Sequence, residues 1–462
     1  MSNPLFFMGM PKTFKLEKDE NFMKIQLTCQ DDTSKILHNQ QKLTSHTDFQ
    51  KKVGIFMAET SIQTSTLYDL WASDLEANYE ETVAVRRYLH QHPEPSFEEK
   101  ETAAYIVDKL KSFGITDIRQ NVGNGYGIVA KIKGGHPGPT IAFRADFDAL
   151  RIKEENNISY KSENDGVMHA CGHDTHTATL LSVAEILAQS AADLHGNIVL
   201  IHQHAEEVLP GGAKSMVEDG AIDDVDFVFG QHVQSQLQAE KIGYAPGYAM
   251  AAADFFNIQI QGKGGHGAHP QDTVDSVIIA TKIVDALQTL VSRAINPLHP
   301  AVVTVSTVQA GGEANNIIAD SAMIRGTVRT YHEEARGIIE DELTILAEGV
   351  AAMYHGTSEV TYIRGYDAVY NHPAETDRFV SVMKEKFGED EVIQLEPSMG
   401  GEDFGYFTSV RPGTFFNVGG FNPEYDATFP HHHPRFNVDE KAMLVAGKVF
   451  LAIAEDYLIP KD

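Results

Sequence analysis

The sequence predicts an α/β protein in which a helix-covered sheet carries a second, smaller α+β unit inserted within it. Three observations lead there. Short β-branched runs alternate with helical periodicity over residues 65–250. A β-α-β-β-α-β succession, the ferredoxin-like order, occupies residues 251–365. Strand and helix signals then resume from 366 to 462, as they would where a larger domain continues after an insertion. Apolar strands bounded by Gly, Pro or charge, with helices between them, build sheets buried on both faces.

The elements follow in order. Helical periodicity runs from Leu67 to about residue 114 and breaks at "HQHPEPS", where Pro93 and Pro95 stop the first helix. "YGIVAKI" (126–132), "TIAFRAD" (140–146), "NIVLIHQH" (197–204) and "VDFVFGQH" (225–232) read as buried strands, with a helix at 175–190 among them. In the insertion, strand 254–262 precedes a helix at 273–292 with Val274, Val277, Ile278, Val284, Leu287 and Val291 on one side. Strands 301–310 and 322–331, helix 333–353 and strand 358–365 complete it.

Composition excludes several classes. The 462 residues suffice for two or three domains, and 42% hydrophobic content is ordinary for a protein with sizeable cores. A formal charge of −28 without a basic patch argues against nucleic acid. No apolar run approaches 18 residues, so no membrane span is expected, and the opening residues do not form a secretory signal. Two distant cysteines, Cys29 and Cys171, suggest no disulfide framework and fit a reducing cytoplasm. Residues 1–64 are polar without sustained periodicity. They are expected to be a poorly ordered extension, or an over-extended reading frame with Met57 as the natural start, and take no part in chemistry.

The stretch "GVMHACGHDTHTATLLSVAEIL" (166–187) sets His169, Cys171, His173, Asp174 and His176 within eight positions ahead of an amphipathic helix. Helix capping by Asp174 or Thr175 accounts for one of them. Further polar clusters follow apolar strands: Asp146 and Asp148 in "RADFDAL", Glu206 and Glu207 in "HQHAEEVLPGGA", and His232 in "FGQHV". Ligands gather at the carboxyl ends of strands in open α/β sheets, so these groups are expected to converge. "FPHHHPRFNVDEKA" adds His431, His432 and His433. A thiolate with imidazoles and carboxylates makes a divalent metal site. Donors in excess of four suit two ions that share a bridge. In the Glu pair, one carboxylate can bind metal while its neighbour takes a proton.

Eight strings, in order, resemble the M20 family of metallopeptidases and amidohydrolases, in its aminoacylase, hippurate hydrolase and auxin-conjugate hydrolase branch. They are "RADFDAL", "HACGHDTHTA", "AEEVLPGGA", "VFGQHV", "GKGGHGAHP", "GGEANNIIAD", "GTVRTY" and "GGEDFGYF". The resemblance runs from about residue 86 to 440. It implies a zinc-exopeptidase-like catalytic domain with an inserted lid and dimerisation domain, hence a homodimer. It also implies two divalent ions per subunit, zinc or manganese, with cobalt or nickel able to serve.

Residue by residue, the resemblance makes Cys171, His173, Glu207, His232 and His432 the metal ligands, with Cys171 as the bridge. Glu206 is similar to the general base, and Asp146 to an acid that supports the site. His266 resembles a histidine that reaches a partner subunit's site to steady the oxyanion. Asn316 and Arg329 resemble residues that hold a substrate's free carboxylate. The implied reaction is metal-assisted hydrolysis of the amide of an N-acyl amino acid. A dipeptidase or carboxypeptidase is the alternative within this chemistry, and a non-catalytic acyl-amino-acid binder the alternative outside it. Three positions depart from the family pattern: Arg151 where Pro is usual after "DAL", Ala319 in "NIIAD", and Gly401 where Ser is common. Of these, Arg151 is expected to bear on the acyl pocket.

Overall fold

The structure is a computed structural model that describes residues 12–19, 22–29 and 66–461. Lys12–Asp19 and Phe22–Cys29 pair as an antiparallel hairpin. This differs from the expected lack of periodicity. Phe14 and Leu16, then Met23, Ile25 and Leu27, alternate with a strand's period of two, and the intervening Lys, Glu and Gln hid that pattern in a polar average. The expectations for residues 1–11, 20–21 and 30–65, Met57 among them, fall outside the described residues.

From Leu67 onward the main element is an eight-stranded sheet. Its spatial order is Val392–Gln394, Ile242–Tyr244, Gly413–Phe421, Phe227–Gln238, His136–Asp146, His195–Gln203, Gly127–Lys133, Asp117–Val122. His136–Asp146 is parallel to both neighbours, and Gly413–Phe421 is parallel to Phe227–Gln238. Four strands therefore present their carboxyl ends to one edge. Alternate residues of each strand feed two cores, as the pleat dictates. Ile141, Phe143, Ile198 and Leu200 pack with Trp71, Leu180 and Phe450 from the helices. Ala142, Val199, Ile201 and Val228 pack with Met216, Phe404 and Phe407 on the other face.

A second, fully antiparallel sheet is ordered Ala301–Ala310, Ser321–Thr330, Ala252–Gln261, Thr357–Tyr366. Helices Ser276–Thr289 and Glu333–Met353 complete the ferredoxin-like unit, whose buried apolar residues from Phe256 to Ala351 form a cluster of their own. The chain enters and leaves this unit side by side, through strands Gly247–Met250 and Val369–Asn371, which pair antiparallel.

Two expectations need correction. The helix expected at 273–292 spans Ser276–Thr289, capped by the Asp275 carboxylate on the amides of Val277 and Ile278. It buries Ile279, Ile283 and Leu287, while Val277 and Ile278 are exposed. The sequence offered two apolar stripes, and the one at i, i+4, i+8 faces the sheet. The strand expected to end at His232 continues to Gln238, because Gly413–Phe421 keeps pairing with it after the central strand stops at Arg144↔Gly230.

Candidate metal centre

That early stop shapes the site. His232 lies two residues past the last pairing with the central strand, which leaves space on that side. Cys171 and His173 reach the same edge from the start of helix His173–Gln189. Gly172 between them has φ +95°, and a Cβ there would lie 2.4 Å from Val233 Cγ1, so the turn into the helix requires glycine. Gly172 is also the N-cap, which corrects the capping role considered for Asp174 and Thr175. The Thr175 hydroxyl donates to the Gly172 carbonyl, and Asp174 is fully buried in an ion pair. Glu206 and Glu207 follow strand His195–Gln203 after Ala205, itself at φ +51°.

The five expected ligands come together. Donor atoms of Cys171, His173 and His232 lie within 4.8 Å of one another, as do those of Cys171, Glu207 and His432, and those of His173, Glu206 and Glu207. Cys171 Sγ is 3.4 Å from His232 Nε2. Glu207 Oε1 is 3.3 Å from His432 Nε2 and 3.8 Å from His173 Nε2. His431 also approaches Cys171, at 3.8 Å, but its Nε2 accepts from the Ser235 amide. His433 accepts from the Arg435 amide.

The donor set fits divalent cations. His173 Nδ1 faces the Asp148 carbonyl at 2.9 Å and its carboxylate at 3.2 Å, which leaves Nε2 buried with no hydrogen-bond partner. His232 donates from Nδ1 to the Val233 carbonyl, so its Nε2 lone pair faces the thiol. An imidazole tied by one nitrogen and free at the other is a ligand with its tautomer fixed. Burial opposes a charge on His173, but Asp146 and then Asp148 outweigh it and raise the ring to about 10. Positive charge is thus favoured where an ion would sit. Burial, followed by Glu207 and Glu206, pushes the Cys171 thiol up. It therefore ionises only against a cation.

Glu206 has different neighbours from Glu207. Its carboxylate lies within 4.8 Å of Glu402 and Asp403, and burial, then Glu402 and Glu207, raise it well above the carboxylate range. A divalent ion held beside Glu207 would oppose that rise and favour the carboxylate form that a base needs.

Beneath the site is a network that the sequence reading did not single out. Arg144, fully buried, contacts Asp146 at 2.6 Å, Glu402 at 2.9 Å and Asp403 at 3.1 Å, and donates to Gln203. Asp146 takes a bond from His176 Nδ1 at 2.6 Å, and His176 Nε2 accepts from the Val233 amide. With both nitrogens engaged, His176 is a brace tied to Asp146, whose other oxygen lies 3.6 Å from His173 Nε2. The signal was present: a charged residue alternating with Asp146 at the end of an apolar strand needs a buried partner.

Behind His173, Arg86 meets Asp174 at 2.8 Å and Glu440 at 3.1 Å, while His90 bridges Asp174 and Glu154. Burial opposes ionisation of Asp174, but Arg86 and His90 hold it below the carboxylate range. Arg86→Ala strands a buried carboxylate and is expected to cost about 3–5 kcal/mol of stability, read as a lowered denaturation midpoint.

The residues expected from the insertion lie apart from the ligands. Gly265–His266 pairs with Ile317–Ile318, and the Gly267 amide donates to the Asn316 carbonyl, so exposed His266 and Asn316 are neighbours. Arg329 is half-buried and donates to the Val328 carbonyl. Among the described residues it has no ion pair with a carboxylate, and no hydrogen bond joins these three to the Cys171 cluster. Arg151 is exposed and paired with Glu98. A Cβ on Gly401 would lie 2.9 Å from that of Ala253, which accounts for glycine there.

Clustered metal donors at the carboxyl edge of a mixed sheet, with a second carboxylate beside them, define a metal-dependent hydrolase. The chain belongs to peptidase family M20/M25/M40, matched over residues 142–456. It is 47% identical over 393 residues to YhaA of Bacillus subtilis (strain 168), covering 85% of this chain and 98% of YhaA. To the N-acyl-L-amino acid amidohydrolase of Geobacillus stearothermophilus it is 43% identical over 292 residues, 63% of this chain and 78% of that protein. The crystal structure of the Bacillus subtilis YXEP protein, a dinuclear metal-binding peptidase of the M20 family, matches with TM-score 0.70 and 36% identity. That match covers 82% of this chain and 98% of the other. Among the described residues no helix is long and apolar enough to cross a membrane.

Proposed function

We propose that this hydrolase cleaves the amide bond of N-acyl amino acids, releasing a carboxylic acid and a free amino acid. The observation that carries the reading is the convergence of Cys171, His173, Glu207, His232 and His432, with the Glu206 carboxylate between that cluster and Glu402 and Asp403. The Geobacillus relative, named for that substrate class, supports it. Those five residues would hold divalent ions, zinc or manganese foremost and cobalt or nickel as substitutes, which would supply Lewis acidity to the amide carbonyl and to water. Glu206 takes a proton from the attacking water and returns it to the leaving nitrogen. Asn316 and the guanidinium of Arg329, which has no carboxylate partner among the described residues, receive the substrate's free carboxylate. The protein works in the cytoplasm, where a thiol ligand persists reduced.

Because His266 is exposed and has no hydrogen bond to the metal cluster of its own chain, we assign it to the active site of a partner in a homodimer built through the inserted unit. There the partner subunit's His266 donates to the developing oxyanion. His266→Ala is expected to keep its metals and lose about 10²–10³ in rate, the scale of one oxyanion donor. Mixing inactive His266→Ala with inactive Glu206→Gln, under conditions of proven subunit exchange, restores part of the activity if the action is in trans. Absence of recovery contradicts it.

The substrate assignment is tested by free-amine release from N-acetyl and N-benzoyl amino acids with each added divalent metal, alongside dipeptides. The same residues serve a peptidase, the activity named for the YXEP protein. Cleavage of dipeptides alone would move the assignment there, and binding without turnover would make the protein a receptor.

A further inference from the structure

The loop that carries Glu206 is held by its backbone, and one of its anchors comes from the inserted unit. The Ala205 amide donates to Glu99 at 2.7 Å, the Gly212 amide to the Ala205 carbonyl at 3.0 Å, and the Glu207 amide to Asp148 at 3.0 Å. The carbonyl of Glu206 itself accepts from the Tyr366 hydroxyl, at 2.5 Å. Tyr366 is the last residue of strand Thr357–Tyr366, paired opposite Ala253, and is 8% exposed. Its ring is wedged against the loop: a Cβ on Gly211 would lie 2.8 Å from it, and one on Gly401 3.6 Å.

Tyr366 is also immobilised from behind. The Gly365 amide donates to Asp254 at 2.9 Å, and the Gly365 carbonyl accepts from Tyr406 at 2.7 Å and Arg336 at 3.2 Å. Arg336 in turn bonds Asp254 at 2.6 Å and Asp367 at 2.7 Å. Strand Ala252–Gln261, through Asp254, and helix Glu333–Met353, through Arg336, thus fix the backbone of Gly365, next to the side chain that touches the backbone of Glu206.

We propose that Tyr366 is a positioning residue for Glu206, through which the placement of the inserted unit sets the aim of the base. This rests on reading Glu206 as the base. The Ala205 and Glu207 amides are held by Glu99 and Asp148, whereas the Glu206 carbonyl is held by Tyr366 and follows the inserted unit when it shifts. A small misplacement of a catalytic group lowers turnover more than substrate affinity.

The test is Tyr366→Phe, which keeps the ring and removes the hydroxyl. Hydrogen exchange at the amides of residues 206–212 is expected to quicken roughly five- to tenfold, the scale of one lost hydrogen bond. With N-acetyl amino acids, kcat is expected to fall on the order of 10–10²-fold while KM and metal content stay within about twofold. Unchanged exchange overturns the proposal whatever the kinetics. Quickened exchange with unchanged kcat, or a loss confined to KM, overturns it too. Glu206→Gln assayed in parallel keeps the two readings separable. Full activity in that variant removes Glu206 as the base, while the exchange result still decides whether Tyr366 anchors the loop.

Discussion

Glu206→Gln is expected to lose turnover by about 10²–10⁴ while it retains its metals. The amide keeps the shape of the side chain but has no basic oxygen for the water's proton. Its carboxylate lies with Glu402 and Asp403 within 4.8 Å, while Glu207 stands 3.3 Å from His432 and groups with Cys171. Glu207→Gln should therefore fail in the opposite way, by weaker metal binding, since an amide is a poorer ligand than a carboxylate. Steady-state kinetics paired with elemental analysis of both variants separates the roles. Metal loss on Glu206→Gln with full occupancy in Glu207→Gln would reverse the pair.

Cys171→Ser is expected to lose most bound metal and, with it, most activity. The thiol lies among carboxylates that oppose its ionisation, and divalent charge overturns that balance for a thiol. A serine hydroxyl is far less acidic, stays protonated, and would be a poorer ligand than a thiolate. The loss should be graded by metal concentration, because the remaining ligands still converge. Normal turnover at full metal content in this variant would refute a thiolate bridge.

Glu206, Glu207 and His232 were legible as site candidates because each ends or follows an apolar strand run, and Cys171 and His173 because they belong to a polar cluster directly ahead of a helix. His432 was chosen among three histidines only through the family pattern, two residues before Pro434. The βαββαβ order of the insertion was legible because its strands and helices change period cleanly. Residues whose role depends on distant partners were not. Arg144 reads as a charge in a strand until Glu402 and Asp403, more than 250 residues away, are seen to answer it. Asp174 reads as a helix cap until Arg86 fills the space behind it. Tyr366 shows nothing in sequence, since its hydroxyl finds a backbone carbonyl, which no side-chain pattern marks. The stripe on Ser276–Thr289 was misread because both faces of that helix are apolar, and only packing chooses between them.

A paired-ion site is expected at Cys171, His173, Glu207, His232 and His432. It is tested most directly by counting the divalent ions that remain with the protein after zinc or manganese loading and dialysis, with Glu207→Gln beside the unaltered chain. The unaltered protein is expected to keep two ions per chain and the variant fewer, with amide hydrolysis following occupancy. A protein that retains no divalent ion under these conditions and still hydrolyses amides at full rate would contradict it.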